Sequence, residues 1–429
     1  MRLLPSPFLG LATVALAIGA GASRLPAQRI TLPDLLAASA QADARRAQLA
    51  LADSQAALRR ASLNAERLPS LQAQATGQYV SDVPSIGGVP VVPYQQYDAY
   101  LMLRQRLWDP TRSARRGADD AQAAEAAARI RGTLWQRRQA VSDAFFTVLA
   151  LDAEQRTLEA SNQDLDAQLA LVSSRVSAGV ALPGDRELLA AERLRLAQRL
   201  DAVATDRRAT LEILRSLSGV AVGDDAQLEP PNLDTDAAAT LAALDTLRER
   251  AEFAQFDAAR AALDARARAS TRQDLPRVSA FGRGGYGRPG INPLARDFQS
   301  YWIIGVQLEW SLLNWRVNDR DAEVQLLQRE MLRHDETTFR EQLERAVTRD
   351  RATAGRLERA LESDSSIVAI HSTVLAETER RFREGTATGA EYTDRLTDLL
   401  TARIARDRHR VQLAETRARI LITLGQELH

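Results

Sequence analysis

Residues Trp302–Trp310 have the sequence WIIGVQLEW, which is the strongest indication of the fold class. Alternate residues build one apolar face with an aromatic side chain at each end: Trp302, Ile304, Val306, Leu308 and Trp310. The opposite face carries polar groups, including Gln307 and Glu309. Alternation with a period of two is typical of a β-strand that has one face turned away from water.

Three other stretches alternate in the same way, so the sequence predicts four strands at about 70–80, 97–108, 277–287 and 299–312. A water-soluble sandwich gives the same alternation. A membrane barrel is favoured because the eight steps from Trp302 to Trp310 span about 26 Å. That length is close to the apolar band of about 25 Å, flanked by aromatic girdles, of an outer-membrane barrel. The charged groups Arg104, Arg283 and Glu309 also suit a water-filled lumen better than a dry core.

Four strands cannot close a membrane barrel by themselves. An open strand edge in lipid leaves backbone groups without hydrogen-bond partners, and outer-membrane barrels begin at about eight strands. The barrel must therefore be shared between subunits. Two copies would supply eight strands and three would supply twelve. This count leaves both open, although eight strands enclose almost no interior space.

The strands belong to a tandem repeat. Leu68-Pro69 recurs as Leu275-Pro276, the stretch 101–109 recurs as 306–314, and Gly179 recurs as Gly385, each pair being separated by 205 to 207 residues. We therefore divide the mature chain into a first repeat at 28–217, a connector at 218–236 rich in glycine and proline, and a second repeat at 237–429.

Each repeat also contains a predicted helical hairpin. Residues 111–176 include no proline, and a continuous helix of that length would reach about 100 Å. The partner helix, about 185–217, has apolar residues at coiled-coil spacing, interrupted by Arg193 and Arg207; Asp407 interrupts the second copy. The sequence predicts long antiparallel coiled-coil helices with tips at about 179–184 and 385–389.

Composition excludes several function classes. The 56 basic and 56 acidic residues balance, which argues against a nucleic-acid-binding protein. The absence of cysteine excludes disulfides, thiol catalysis and cysteine-ligated metals. The four histidines are scattered without metal-ligand spacing. No catalytic residue, cofactor or metal site is predicted, and the chain is not expected to be an enzyme.

The amino terminus, residues 1–27, is predicted to be a secretory signal peptide. Arg2 precedes an apolar run that ends at small residues, Ala20-Gly21-Ala22. The alternative is an uncleaved membrane anchor. Either way the remainder of the chain is expected outside the cytoplasm.

The repeated Leu-Pro strand starts, the strand exits ending at Asp109 and Asn314, and the turns at 175–179 and 381–385 together resemble the outer membrane efflux protein (TolC) family over residues 30–428. The resemblance implies a homotrimer with a shared twelve-stranded barrel in the outer membrane and an α-barrel of long helices crossing the periplasm. Such proteins are the exit ducts of tripartite efflux pumps or type I secretion systems, and they work with a periplasmic adaptor and an inner-membrane pump. Arg106 departs from the pattern, since proline is common there, and Val176 replaces the usual turn aromatic.

The resemblance also implies that the hairpin tips dock the adaptor. The candidate docking residues are Gly179, Leu182, Gly184, Gly385, Thr388 and Gly389. Glycine lets the chain reverse at little steric cost, so a bare turn is the alternative interpretation.

Acids just after each tip are candidates for rings around the periplasmic entrance: Asp185 in the first repeat, Glu391 and Asp394 in the second. The alternative is stabilisation of the helix dipole by acids in a first turn. The family's closing links use an aromatic hydroxyl and an arginine, whereas Phe382 and Ala387 occupy those positions here. The rival function for the whole chain is a periplasmic coiled-coil adaptor, which would explain the hairpins but not the apolar strand faces.

Overall fold

The computed structural model describes residues 29–231, 233, 250–292 and 296–426. The expected signal peptide and residues 232 and 234–236 of the connector lie outside the described residues. The helices are α1 (Leu32–Ala42), α2 (Arg45–Ala65), α3 (Thr111–Ser177), α4 (Pro183–Ser218), α5 (Ala251–Thr271), α6 (Val317–Arg383) and α7 (Gly389–Leu424). The strands are β1 (Arg29–Thr31), β2 (Ser70–Tyr79), β3 (Ser85–Ile86), β4 (Val89–Pro90), β5 (Gln95–Trp108), β6 (Gln227–Glu229), β7 (Arg277–Arg288) and β8 (Gln299–Glu309).

The two halves follow the same order of helix, two strands, long helix and shorter helix. The long helices α3 and α6 each have 67 residues, and their partners α4 and α7 each have 36. A helix of 67 residues is about 100 Å long. The equal lengths support the proposed duplication.

The four long strands form one antiparallel sheet in the order β2-β5-β7-β8. The pairing of β5 with β7 joins the halves, and its register sets Leu101 opposite Gly284, which lies opposite Trp302. The apolar faces of all four strands therefore lie on one side of the sheet. The predicted end of the fourth strand, near residue 312, is wrong: β8 ends at Glu309, and Trp310 follows it.

At each strand exit an Asp or Asn side chain binds a backbone N–H at or just before the start of the long helix, which gives the repeated Asp/Asn a structural role. The Oδ1 atom of Asp109 accepts hydrogen bonds from the Thr111 backbone N–H at 3.0 Å and from its hydroxyl at 2.6 Å. Burial raises the pKa of Asp109, but those hydrogen bonds and the nearby charges of Arg115 and Arg106 outweigh it and lower the pKa. In the second half the side chain of Asn314 accepts from the Arg316 backbone N–H at 2.9 Å.

Polar residues at the helix seams form ion pairs between helices instead of disrupting them. Arg193 pairs with Asp166, and Arg207 pairs with Asp152, in both cases linking α4 to α3. The apolar seam positions around these pairs are buried, as at Leu189, Leu196 and Val203. None of the helices in the described ranges is both long enough and apolar enough to cross a membrane.

The connector is more structured than the sequence predicted. Its strand β6 pairs in parallel with β1, setting Ile30 opposite Leu228, and both side chains are buried. The short length of β6, three residues, gave too little alternation to be recognised in the sequence.

A buried ion pair fixes the turn between α1 and α2 to the long helices. The Asp43 side chain, only 3% exposed, lies 2.7 Å from Arg45 and 3.0 Å from Arg137. Arg137 also donates to the backbone carbonyls of Leu217 and Ser216 at 2.9 Å. The hydrogen bond from Arg45, aided by Arg137, holds the pKa of Asp43 far below its usual range despite burial.

We expect Asp43→Asn to lower the free energy of unfolding by about 3 kcal/mol, because removing one member of a buried pair leaves the other charge without compensation. The matched control is Asp120→Asn, which breaks the exposed pair with Arg60 and should cost less than about 1 kcal/mol. Chemical denaturation in detergent, followed by circular dichroism, measures both. Equal destabilisation by the two variants would contradict the proposed role of the buried pair.

Candidate functional site: sheet face and hairpin tips

The apolar face of the sheet is uncovered in the chain. Trp302, Ile304, Val306 and Leu308 are 75%, 77%, 68% and 63% exposed. The side chain of Leu101 on β5 lies on the same face and is also exposed. A continuous exposed apolar surface of this kind marks a contact with lipid or protein.

Aromatic side chains lie at both ends of this face. At the loop end, the Phe298 ring lies 5.5 Å from the Tyr286 ring and 6.1 Å from the Tyr97 ring. At the helix end, Trp108 and Trp310 are both about half exposed. Two aromatic belts around an aliphatic band are the pattern that a bilayer selects at its two interfaces.

The opposite face of the sheet carries a hydrogen-bonded polar cluster. The Tyr301 hydroxyl donates to Asp98 at 2.6 Å, and Arg283 donates to the Tyr301 oxygen at 2.7 Å. The Arg283 guanidinium also lies 3.6 Å from the centre of the Tyr100 ring. A Cβ at Gly285 would lie 2.6 Å from the Tyr301 ring, so glycine makes room for this cluster. The two faces of the sheet thus differ in chemistry: one is apolar, and the other carries polar and charged groups.

Both edges of the sheet are open among the described residues. The outer edges of β2, with 10 residues, and β8, with 11 residues, have no strand neighbour. Each edge presents unpaired backbone donors and acceptors, which another chain can satisfy.

The two hairpin tips have the same backbone geometry. Gly179 and Gly385 adopt the left-handed region, with φ of +75° and +78°. The Val180 N–H donates to the Arg175 carbonyl at 2.9 Å, and the Thr386 N–H donates to the Arg381 carbonyl at 2.8 Å. The repeated arginine-to-glycine spacing is therefore the signature of one turn used twice.

The structure places two of the residues predicted at the tips in helices rather than in the turns. Gly184 lies in the first turn of α4 and Gly389 begins α7, so neither belongs to a loop. Leu182, 70% exposed, immediately precedes α4. Thr388 immediately precedes α7, and its hydroxyl accepts from the Glu391 N–H at 3.2 Å.

Side chains of the first hairpin form hydrogen bonds with the second hairpin near the tips. The Asp185 carboxylate accepts from the Gly389 N–H at 2.8 Å, and Arg175 donates to the Phe382 carbonyl at 3.2 Å. Gln168 on α3 donates to Glu379 on α6. Sequence reasoning identified Asp185 but missed Arg175 and Gln168, because nothing local in the sequence says which remote groups they meet.

The three candidate acids occupy different environments. Glu391 completes a capping box, accepting from the Thr388 N–H at 3.0 Å, and Asp185 makes the contact with Gly389. Asp394 is exposed one turn along α7. Of the three acidic side chains, that of Asp394 alone has no hydrogen bond or ion pair with the described residues.

The Phe382 side chain, near the second tip, is packed inward. The ring of Phe382 stacks on Tyr392 with 5.4 Å between ring centres, and both side chains are buried. Burial, together with the negative charges of Glu379 and Asp164, raises the pKa of Tyr392 well above its usual value.

Comparison with solved structures shows which fold this is. The outer membrane protein VceC from Vibrio cholerae has a TM-score of 0.69 at 17% identity, over 93% of this chain and 97% of that one. A membrane protein from Pseudomonas aeruginosa has a TM-score of 0.71 at 17% identity, over 92% and 90%. The open-state MtrE outer membrane channel from Neisseria gonorrhoeae has a TM-score of 0.66 at 15% identity, over 92% and 89%.

No protein-family model matches the chain, and no curated protein matches it. At these identities the likeness shows the fold, and the predicted fold class of long helical hairpins with membrane-type strands is confirmed. The resemblance found in the sequence is confirmed at the same level.

We expect Leu308→Arg to destabilise insertion into a bilayer by about 2–4 kcal/mol if the apolar face meets the lipid midplane. The matched control is Gln307→Arg, one residue away on the opposite face, which should insert normally. The fraction of each variant that resists carbonate washing and needs detergent for extraction measures insertion. Equal damage at both positions would indicate a soluble, packed sheet.

Proposed function

We propose that this chain, which has the fold of outer-membrane channels, is the exit duct of a tripartite efflux pump or a type I secretion system. In this proposal it resides in the outer membrane, extends into the periplasm, and carries substrate from an inner-membrane pump to the exterior. The observation that supports it best is a single sheet with one exposed apolar face and two open edges, set on two long helical hairpins.

The open edges support assembly into a homotrimer. Joining β8 of one copy to β2 of the next satisfies the backbone groups of both edges and continues the apolar face around a ring. Three copies supply twelve strands, which leave an interior wide enough for passage, whereas eight strands are filled by their own side chains. The polar cluster around Arg283 would then line the lumen.

The helices supply the tunnel. At about 100 Å, α3 and α6 carry the tips far from the bilayer. With the sheet in the outer membrane, the tips lie in the periplasm and face the inner membrane. The exposed side chains of Val180 and Leu182 at the first tip, 64% and 70% exposed, suit contact with a periplasmic adaptor.

The adaptor alternative is not favoured. An adaptor explains the hairpins but has no use for four strands whose apolar faces align across two repeats. Membrane fractionation separates the two functions, since an adaptor without an anchor is released by washing and a barrel protein needs detergent.

The proposed trimer and its docking to an adaptor predict different effects of valine substitution at two glycines, Gly385 and Gly355. The parent chain should have the mass of three subunits in detergent. Gly385→Val should strain the tip, because φ is +78° there, and abolish export while the trimer persists. The control Gly355→Val lies within α6, where an added Cβ meets only the end of Arg359 at 3.7 Å, and should export normally. A monomeric parent, or loss of the trimer in Gly385→Val, would contradict this arrangement.

The acids near the second tip predict that the periplasmic entrance of the proposed duct is selective for cations. Three-fold symmetry would set three copies each of Glu391 and Asp394 around one axis, and rings of carboxylates attract cations. We expect Glu391→Gln with Asp394→Asn to lower cation selectivity in single-channel recordings. Glutamine retains the capping box, so the change isolates charge from helix stability.

The control for this prediction removes the same charges elsewhere, by Glu341→Gln with Asp335→Asn on α6, far along the helix from the tip. If the Glu391 and Asp394 variant selects ions like the parent, those acids serve only to stabilise the start of α7.

A further inference from the structure

A cavity of about 540 Å³ lies between α3, α7 and the segment that follows β6. One part of its wall is apolar, formed by Phe146, Leu149, Leu228 and Val411. The other part contains four arginines: Arg156, Arg403, Arg406 and Arg410. The cavity is remote from the sheet face and from the hairpin tips.

The two carboxylates in the cavity wall already have hydrogen-bond or ion-pair partners. Asp407 accepts from Arg406 at 2.9 Å and from the Thr157 hydroxyl at 3.0 Å. Asp152 pairs with Arg207 from α4. These two acids therefore have little capacity left to balance the remaining positive charge.

Three arginines in the wall have no such partner. The guanidinium groups of Arg156, Arg403 and Arg410 make no hydrogen bond or ion pair within the described parts of the chain. Arginines elsewhere along the seams differ, since Arg193 pairs with Asp166 and Arg199 with Glu154. Three guanidinium groups without partners among the described residues are thus gathered around one cavity, beside an apolar wall.

We propose that this cavity binds an organic anion, with a carboxylate, sulfonate or phosphate group on the arginines and an apolar body against Phe146 and Leu149. Guanidinium groups bind such anions through parallel N–H donors, and Arg403 is half-buried, which strengthens the interaction. A volume of about 540 Å³ is within the usual range for a small-molecule site. An inorganic anion would leave the apolar wall unused.

The test measures binding to the full chain in neutral detergent by isothermal titration calorimetry, with blank micelles subtracted. The probe is 1-naphthyl phosphate, and the comparison compounds are 1-naphthol, which lacks the charge, and inorganic phosphate, which lacks the apolar body. We expect one saturable site per chain for 1-naphthyl phosphate and binding at least about tenfold weaker for the other two.

The decisive variant is Arg403→Gln with Arg410→Gln, which should weaken binding of 1-naphthyl phosphate about tenfold or more. The matched control is Arg395→Gln with Arg408→Gln, which removes the same charge from exposed positions on the same helix outside the cavity wall. The control should bind like the parent.

The proposal fails if the parent does not bind 1-naphthyl phosphate, if both double variants bind equally well, or if inorganic phosphate binds as tightly as the organic probe. Because the assay measures binding and not export, its failure leaves the proposed duct function untouched, and the converse also holds. Thermal unfolding of each variant shows that a loss of binding is not a loss of fold.

Discussion

The antiparallel pairing of β5 with β7 holds the two halves of the chain together in one sheet. It is the link between the sheets of the two halves, and its register places the apolar residues of four strands on one side. A shift of one residue would turn half of the sheet over and mix the two faces. The same pairing aligns the strand exits at Asp109 and Asn314, from which the two long helices depart.

Charge plays a different role in the helical body. Long helices with only narrow apolar seams would pack weakly, and interhelical pairs such as Arg193 with Asp166 supply the polar rim. Where burial is deep, as at Asp43, the pair also fixes how a short element docks against the hairpins. Around the cavity near Phe146 several arginines without partners in the described ranges lie beside an apolar wall, and that combination suggests a ligand.

The hairpin tips combine two matching glycine turns with contacts between the hairpins. The glycine turns repeat with nearly the same φ, so each tip holds its own shape. Near the tips the hairpins are joined by polar contacts, including that of Asp185 with the Gly389 N–H, and by a buried apolar cluster that includes Val172, Leu189 and Phe382. The contact between the hairpins is therefore both polar and apolar.

From the sequence alone came the four long strands, the long helices and the tip turns. The strands and helices follow from local periodicity, and the turns follow from glycine at positions of positive φ. The contacts between groups remote in sequence are visible only in the folded chain: β1 with β6, Asp43 with Arg137, Asp185 with Gly389, and the arginines around one cavity. These contacts join residues far apart in sequence, and a local pattern carries no information about a remote partner, because the partner is selected by packing and register after the elements have formed.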